Sequence, residues 1–251
     1  APELHLAALR ILATNSPDTL IEFLQQKNAR MTLAEHQTAL RLAGGVPDAR
    51  AAAILGHEMD ELLAGRLAPE LALDVLLGCR GRSEPEFRTK IAAYEASLPS
   101  QDPLAKFRVA LAGGNVAAGR DIFRTEAKAQ CVRCHDAGGE GQQAGPVLTG
   151  IGKRVDAEYL LESLIDPSKR IAEGFASIRL ELKDGDELDG IQLRQTPEAL
   201  TLRLASGEVR AVPRPQIRQQ STSQISSMPP MGDILALDEL RDLLAYLQSL
   251  K

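Results

Sequence analysis

"AQCVRCHDAGGEGQQAGPVLTGIG", residues 129–152, holds the residues on which the reading of this chain turns. Cys131, Cys134 and His135 form a C-x-x-C-H pattern. Two cysteines three positions apart on a helical turn can reach both vinyl groups of one porphyrin. A histidine directly after the second cysteine then lies under the iron as an axial ligand. The pattern is thus the attachment signature of a c-type haem, held by two thioethers. Two rival readings are half a zinc site and a thiol–disulfide pair. Structural zinc needs four ligands at usual spacings, but there is no second C-x-x-C. Cys79, the third of three cysteines, stands alone and reads as a small buried core residue. A thioredoxin-like pair should open a helix after a strand in a βαβ unit, and none is visible.

Composition narrows the remaining classes. The 251 residues are enough for one large domain or two to three small ones. A hydrophobic fraction of 44% supports packed cores, but only 3% is aromatic and there is no Trp, so a bound apolar cofactor would help fill the interior. The net charge of -5 offers no polycationic face, which argues against nucleic acid or an anionic membrane as the main partner. No apolar run approaches the roughly 20 residues of a membrane span. "APELHLAALR" has neither a basic n-region nor an apolar h-region. It reads as the start of a mature product or excised fragment and leaves the export route unstated.

Residues 1–104 read as a helical domain. "NSPDTLIEFLQQ" offers Ser16 as N-cap and Pro17 at N1. "MTLAEHQTALRLAGG" carries a Thr32/Glu35 capping box and stops at Gly44-Gly45. "LAPELALDVLLGCRG" starts at Pro69 and breaks at Gly78. "SEPEFRTKIAAYEASLP" offers a Ser83/Glu86 capping box, with Phe87, Ile91, Tyr94 and Leu98 along one face. Short helices with brief connections suggest hairpins stacked as in a HEAT-like array, a plain bundle being the alternative. "PSQDP", residues 99–103, reads as the linker.

Residues 105–251 form the second expected domain. "GGNVAAGRDIFR", with Asn115 as N-cap, "DAEYLLESLIDP" and "LDELRDLLAYLQSLK" have helical spacing. Between the last two the period switches to two. Ile178, Leu180 and Leu182 alternate with charged residues, and Asp184-Gly185 signals a hairpin turn. "ELDGIQLRQ" slips parity, which suggests a bulge at Gly190. "EALTLRLASG" and a Pro-limited "EVRAVPRPQI" follow. About four antiparallel strands, over roughly 175–218, are therefore inserted into a mainly α domain.

Residues 111–172 and 221–251 resemble a class I cytochrome c, through "GRDIF", "CVRCH", "GPVLTGIG", "SMPPM" and "LRDLLAYLQSL". More narrowly, "YLLESLIDPSKRIAEGF", "LKDGDELDGI" and "SMPP" resemble a family of haem-binding domains. Its members lie at the C-terminal ends of large bacterial multidomain, dehydrogenase-like proteins. The resemblance implies one covalent haem c, with thioethers at Cys131 and Cys134 and His135 as proximal ligand. The Pro146 carbonyl would accept a hydrogen bond from that histidine, an orienting contact for a metal-bound imidazole. Gly119 and Phe123 would cross the last helix near Tyr246, and Asp166-Pro167-Ser168 would end the helix walling the haem. The family supplies its distal methionine from the loop that here holds Met228 and Met231; Met228 is favoured and Met231 is the alternative. Met31 and Met59 read as core filler, and His5, His36 and His57 as helix surface or interior residues.

A His/Met iron has no open position, so the expected function is one-electron transfer rather than catalysis, serving a dehydrogenase or respiratory partner. The rival is a five-coordinate haem enzyme or gas sensor with structural methionines. A third reading is an interaction module in which haem is secondary. Haem c is attached outside the cytoplasmic membrane in bacteria, so the resemblance implies a periplasmic or extracytoplasmic location.

Overall fold

Prolines and small polar residues open the helices of the N-terminal half. A computed structural model of the chain describes residues 2–26, 31–139, 141, 144–204 and 206–251. Among the described residues, six helices run in its first part: α1 (Pro2–Asn15), α2 (Pro17–Gln25), α3 (Leu33–Ala43), α4 (Ala49–Leu63), α5 (Pro69–Arg80) and α6 (Pro85–Ser97). Helix α2 starts at Pro17 after Ser16, whose side chain makes no capping bond. The Thr32/Glu35 box on α3 is complete: Glu35 N donates to Thr32 Oγ1 at 3.3 Å, and Thr32 N donates to Glu35 Oε2 at 2.7 Å. Helix α4 is capped by Asp48, whose Oδ1 accepts from Arg50 N at 2.7 Å.

Two local expectations fail. The Ser83/Glu86 box does not form, because α6 begins one residue later with Glu84 as N-cap and Pro85 fixing the first turn. Gly78 does not break α5, which runs on to Arg80. Its role is close approach instead. A Cβ on Gly78 would lie 2.6 Å from the Leu40 carbonyl oxygen, and one on Gly44 would lie 2.3 Å from that of Gly78. The backbones of α3 and α5 therefore touch. Leu20, Ile21, Leu40, Leu55, Met59 and Phe87 fill the core around this contact, each fully buried. Cys79 joins them, and burial pushes its thiol up to about 12.

The chain divides into two compact units, Ala1–Gly114 and Asn115–Lys251. Residues 105–114, expected in the second domain, lie in the first. Their 3-10 helix, Ala105–Ala110, repeats every three residues, so Leu104, Phe107 and Ala110 fall on one buried edge. Val109 packs against the helical core.

The second unit holds α7 (Val116–Thr125), α8 (Ile151–Arg154), α9 (Ala157–Ile165) and α10 (Leu237–Ser249). Asn115 caps α7 by accepting from Ala117 N and Ala118 N. Helices α7 and α10 cross at Gly119, where a Cβ would lie 1.9 Å from the Asp242 carbonyl oxygen. Phe123 and Tyr246 meet beside this crossing, with ring centroids 5.5 Å apart and planes tilted by 52°. Such a pair contributes about 0.5–1.5 kcal/mol beyond its buried area. The Asp242 carboxylate accepts from Asn115 N at 2.9 Å, tying the start of α7 to α10. Burial raises its pKa, and this backbone bond and Arg241 oppose the rise.

Between α9 and α10 lies an antiparallel sheet of five strands: β1 (Ser177–Leu182), β2 (Glu187–Gln195), β3 (Ala199–Leu204), β4 (Val209–Pro213) and β5 (Ile217–Thr222). Its order is β4-β3-β2-β1-β5, so β5 returns to pair with β1. The expected last strand is split, since Pro213 precedes and Pro215 lies within a 3-10 turn at Arg214–Gln216. The fifth strand was missed because "IRQQST" is an exposed, polar edge strand with only Ile217 turned toward the apolar cluster. Nor does Gly190 form a bulge. It pairs in register with Ile178, and the β2–β3 register shifts instead between Gln192 and Arg194. A Cβ on Gly190 would lie 2.6 Å from the Arg203 carbonyl oxygen, which accounts for the glycine. Leu180, Leu200 and Leu202 are fully buried in the sheet's apolar cluster. Among the described residues no helix is long and apolar enough to cross a membrane.

The helix crossing gives a direct test. Gly119→Ala should destabilise the second unit by about 1–3 kcal/mol, the usual range for overpacking, and lower its calorimetric transition temperature.

Candidate functional site

The C-x-x-C-H segment is shaped by a backbone reversal just before it. Gln130 takes the left-handed conformation, with φ at 48°, the one non-glycine among the described residues with positive φ. Its Nε2 donates to the Ala127 carbonyl at 2.7 Å, a local bond that helps hold the reversal. A 3-10 turn, Cys131–Arg133, follows. Cys134 N and His135 N both donate to the Cys131 carbonyl, at 3.1 and 2.9 Å. The expected helical turn is thus a tight one, and it places the two cysteines and the histidine together. Both thiols are free, with Cys131 half-buried and Cys134 exposed. Burial pushes the Cys131 thiol up to about 11.

Downstream, the chain returns to this turn. Gly145 N donates to the Cys134 carbonyl at 2.6 Å, and Leu148 N to the Asp136 carbonyl at 2.7 Å. Asp136 Oδ1 and Thr149 Oγ1 receive the amides of Gly139 and Gly138. These bonds set Pro146 beside the histidine ring, with His135 Nδ1 2.8 Å from the Pro146 carbonyl oxygen. Two glycines make the close approach possible. A Cβ on Gly145 would lie 2.8 Å from His135 Cε1, and one on Gly141 would lie 2.1 Å from the His135 carbonyl oxygen.

This contact determines the chemistry of the ring. A carbonyl oxygen only accepts, so Nδ1 carries the proton and Nε2 keeps its lone pair. Burial lowers the His135 pKa, against a smaller opposing effect of the Pro146 bond. Both observations describe a neutral imidazole with one nitrogen oriented and the other available to a metal. Two free thiols stand on the same turn. The residues therefore fit a covalently attached haem: Cys131 and Cys134 as attachment points and His135 as a ligand through Nε2. Zinc fits less well, because no cluster of three or more His, Cys, Asp and Glu suited to a metal ion occurs among the described residues.

Residues 116–251, 136 of the 251, match the family model described as cytochrome c. The chain belongs to the cytochrome c family. A comparison with curated proteins gave no match. Membership carries with it haem-based electron transfer and covalent haem c, and it covers the unit built from α7 to α10. In such a protein the Gly119 crossing of α7 on α10 is the frame, and the C-x-x-C-H turn begins a few residues past the end of α7, after residues 126–130.

The remaining sequence candidates are separated by the fold. Met228 is half-buried and precedes Pro229-Pro230 in the segment between β5 and α10. Met231 is buried in a one-turn 3-10 helix, Met231–Asp233, that packs on α9 and α10. Met59 is a core residue of the helical unit, and His5 is paired with Glu35. Met31, His36 and His57 line a cavity of about 380 Å³ in that same unit. Sequence reading overlooked Gly141 and Gly145, although short glycine spacing opposite a ligand histidine is a signal of close approach.

The thiol environments predict an order of reactivity in the polypeptide made without haem. Iodoacetamide at pH 8 should label exposed Cys134 first. A thiol titrating about three units higher is about one part in a thousand thiolate, so Cys131 should react slowly, and buried Cys79 last. Labelling of Cys131 should accelerate about tenfold per pH unit as pH rises, as read by peptide mass mapping.

Proposed function

We propose that residues 115–251 hold one haem c through Cys131 and Cys134, with His135 and Met228 as axial ligands, and pass single electrons between redox proteins. The observation that carries this reading is the His135–Pro146 contact. It leaves one imidazole nitrogen free on a turn bearing two unpaired cysteines, inside the unit that matches cytochrome c.

When bound, the haem supplies a one-electron ferric/ferrous couple. The protein's part is to hold and tune it. Pro146 fixes the tautomer of His135 and strengthens its donor nitrogen. Cys131 and Cys134 each contribute a thioether, which retains the group independently of iron oxidation state. Met228 is favoured over Met231 because Met231 is already committed to the packing of its 3-10 turn on α9 and α10. A thioether ligand favours the reduced iron and raises the potential. With both axial positions filled there is no vacancy for a substrate, so the unit acts as a carrier and not as an enzyme.

The partners in this reading are a dehydrogenase or another donor on one side and a respiratory acceptor on the other. The protein works outside the cytoplasmic membrane, where haem c is attached. The helical unit, Ala1–Gly114, serves to position the cytochrome unit against its partner.

Spectroscopy separates this from a five-coordinate sensor or enzyme. The oxidised protein should show a methionine-to-iron charge-transfer band in the far red, and the reduced protein should not bind carbon monoxide. Met228→Ala should abolish the band and open the iron to carbon monoxide. Rapid binding by the unaltered protein, unchanged by Met228→Ala, would establish the five-coordinate alternative.

A further inference from the structure

The β insertion interrupts the chain between α9 and the loop that carries Met228. It leaves and returns at one place. Strand β5 lies antiparallel to β1, pairing Ile178 with Thr222. One residue further, Ser223 N donates to the Ser177 carbonyl at 2.7 Å. The two connecting segments then stay together: Ser226 N donates to Ser168 Oγ at 3.1 Å. Ser226 in turn accepts from Met228 N, through its own Oγ, at 3.1 Å. Three steps thus run from the sheet edge to the backbone of Met228.

The other side of the latch is also anchored. Ser168 follows Asp166-Pro167 at the end of α9, where Asp166 N donates to the Glu162 carbonyl at 2.7 Å. Glu162 is buried on α9 and holds the two residues after Ser168: Lys169 Nζ pairs with Oε2, and Arg170 Nε lies 2.9 Å from Oε1. Arg170 also covers the Tyr159 ring, with Cζ 5.6 Å from its centroid. Beyond Met228, Pro229 and Pro230 stiffen a short bridge to the 3-10 turn packed on α9 and α10. Met228 therefore lies between two fixed points.

We propose that Ser168 and Ser226 are positioning residues for Met228, and that closure of β5 on β1 sets the latch they form. The proposal rests on Met228 being the distal ligand. The sheet's pairing returns the chain to the end of α9, and the serine pair then fixes where the methionine loop begins. Without the Ser168 hydroxyl, Ser226 N loses its acceptor, and the loop between Ser223 and its far end is no longer tied to the end of α9. The methionine then spends more time away from the iron, by the fold-change that one hydrogen bond sets, about two- to tenfold.

The test uses the haem-loaded full chain in four forms: unaltered, Ser168→Ala, Ser168→Thr and Ser226→Ala. Covalent haem content and far-ultraviolet circular dichroism report folding, the far-red band reports methionine ligation, and carbon monoxide binding to the reduced form reports its loss. Ser168→Ala and Ser226→Ala should weaken the band and speed carbon monoxide binding by about two- to tenfold, with haem content unchanged. Ser168→Thr, which keeps the hydroxyl, should restore the unaltered behaviour. If Ser168→Ala does not fold, Ser226→Ala decides, since it removes only the acceptor of Met228 N. An unaltered protein with the band, and alanine variants indistinguishable from it, would overturn the latch. An unaltered protein without the band would overturn the Met228 reading, and the latch with it.

Discussion

The hydrogen bond between His135 Nδ1 and the Pro146 carbonyl is the constraint on which the site depends. It is 2.8 Å long and joins the C-x-x-C-H turn to a segment eleven residues away. Forming it requires the left-handed Gln130, the amide of Gly145 on the Cys134 carbonyl, and glycines at 141 and 145 where any side chain would strike His135. Its chemical result is a neutral imidazole with a known tautomer and one available lone pair. Without it, the His135 ring would lack the bond that fixes its tautomer and orientation.

The helices serve that constraint from behind. Gly119 lets α7 and α10 approach to backbone contact, and Phe123 on Tyr246 fills the space beside it. The C-x-x-C-H turn begins a few residues past the end of α7, so a rigid α7 fixes where the segment leading to it departs. Gly152 makes a second close approach, 2.2 Å from the Gln248 carbonyl oxygen to a notional Cβ, where α8 meets α10. Helix α10 thus receives both the segment before the site and the one after it. Its apolar face, with Leu240, Leu243, Leu244 and Leu247 buried, accounts for the helical spacing in the last segment of the sequence.

Features that depend on local chemistry were legible in the sequence. Thr32/Glu35, Asn115, Pro17 and Pro69 mark helix starts because capping and proline geometry act over one turn. The alternation in β1 and β3 was legible because one sheet face is buried. What escaped depends on contacts distant in sequence. Gly78 and Gly190 read as a helix break and a bulge, yet each is there because another backbone comes within reach of it. Strand β5 has no apolar alternation to betray it; it forms because β1 needs a partner on its second edge. The unit boundary moved for a similar reason, since Val109 packs back onto the helical core. In the candidate site, Cys131, Cys134, His135 and Pro146 were legible from motif and resemblance, whereas the contacts of Gly145, Ser168 and Ser226 join segments separated in sequence.

In the function proposed above, this turn holds a haem by two thioether bonds. That attachment is tested most directly by intact mass of the protein under denaturing conditions, after expression in bacteria that attach haem c. The expected mass is the polypeptide plus one haem, and the polypeptide alone once Cys131 and Cys134 are both replaced by alanine. A polypeptide of unmodified mass, with both thiols still open to alkylation, would contradict it.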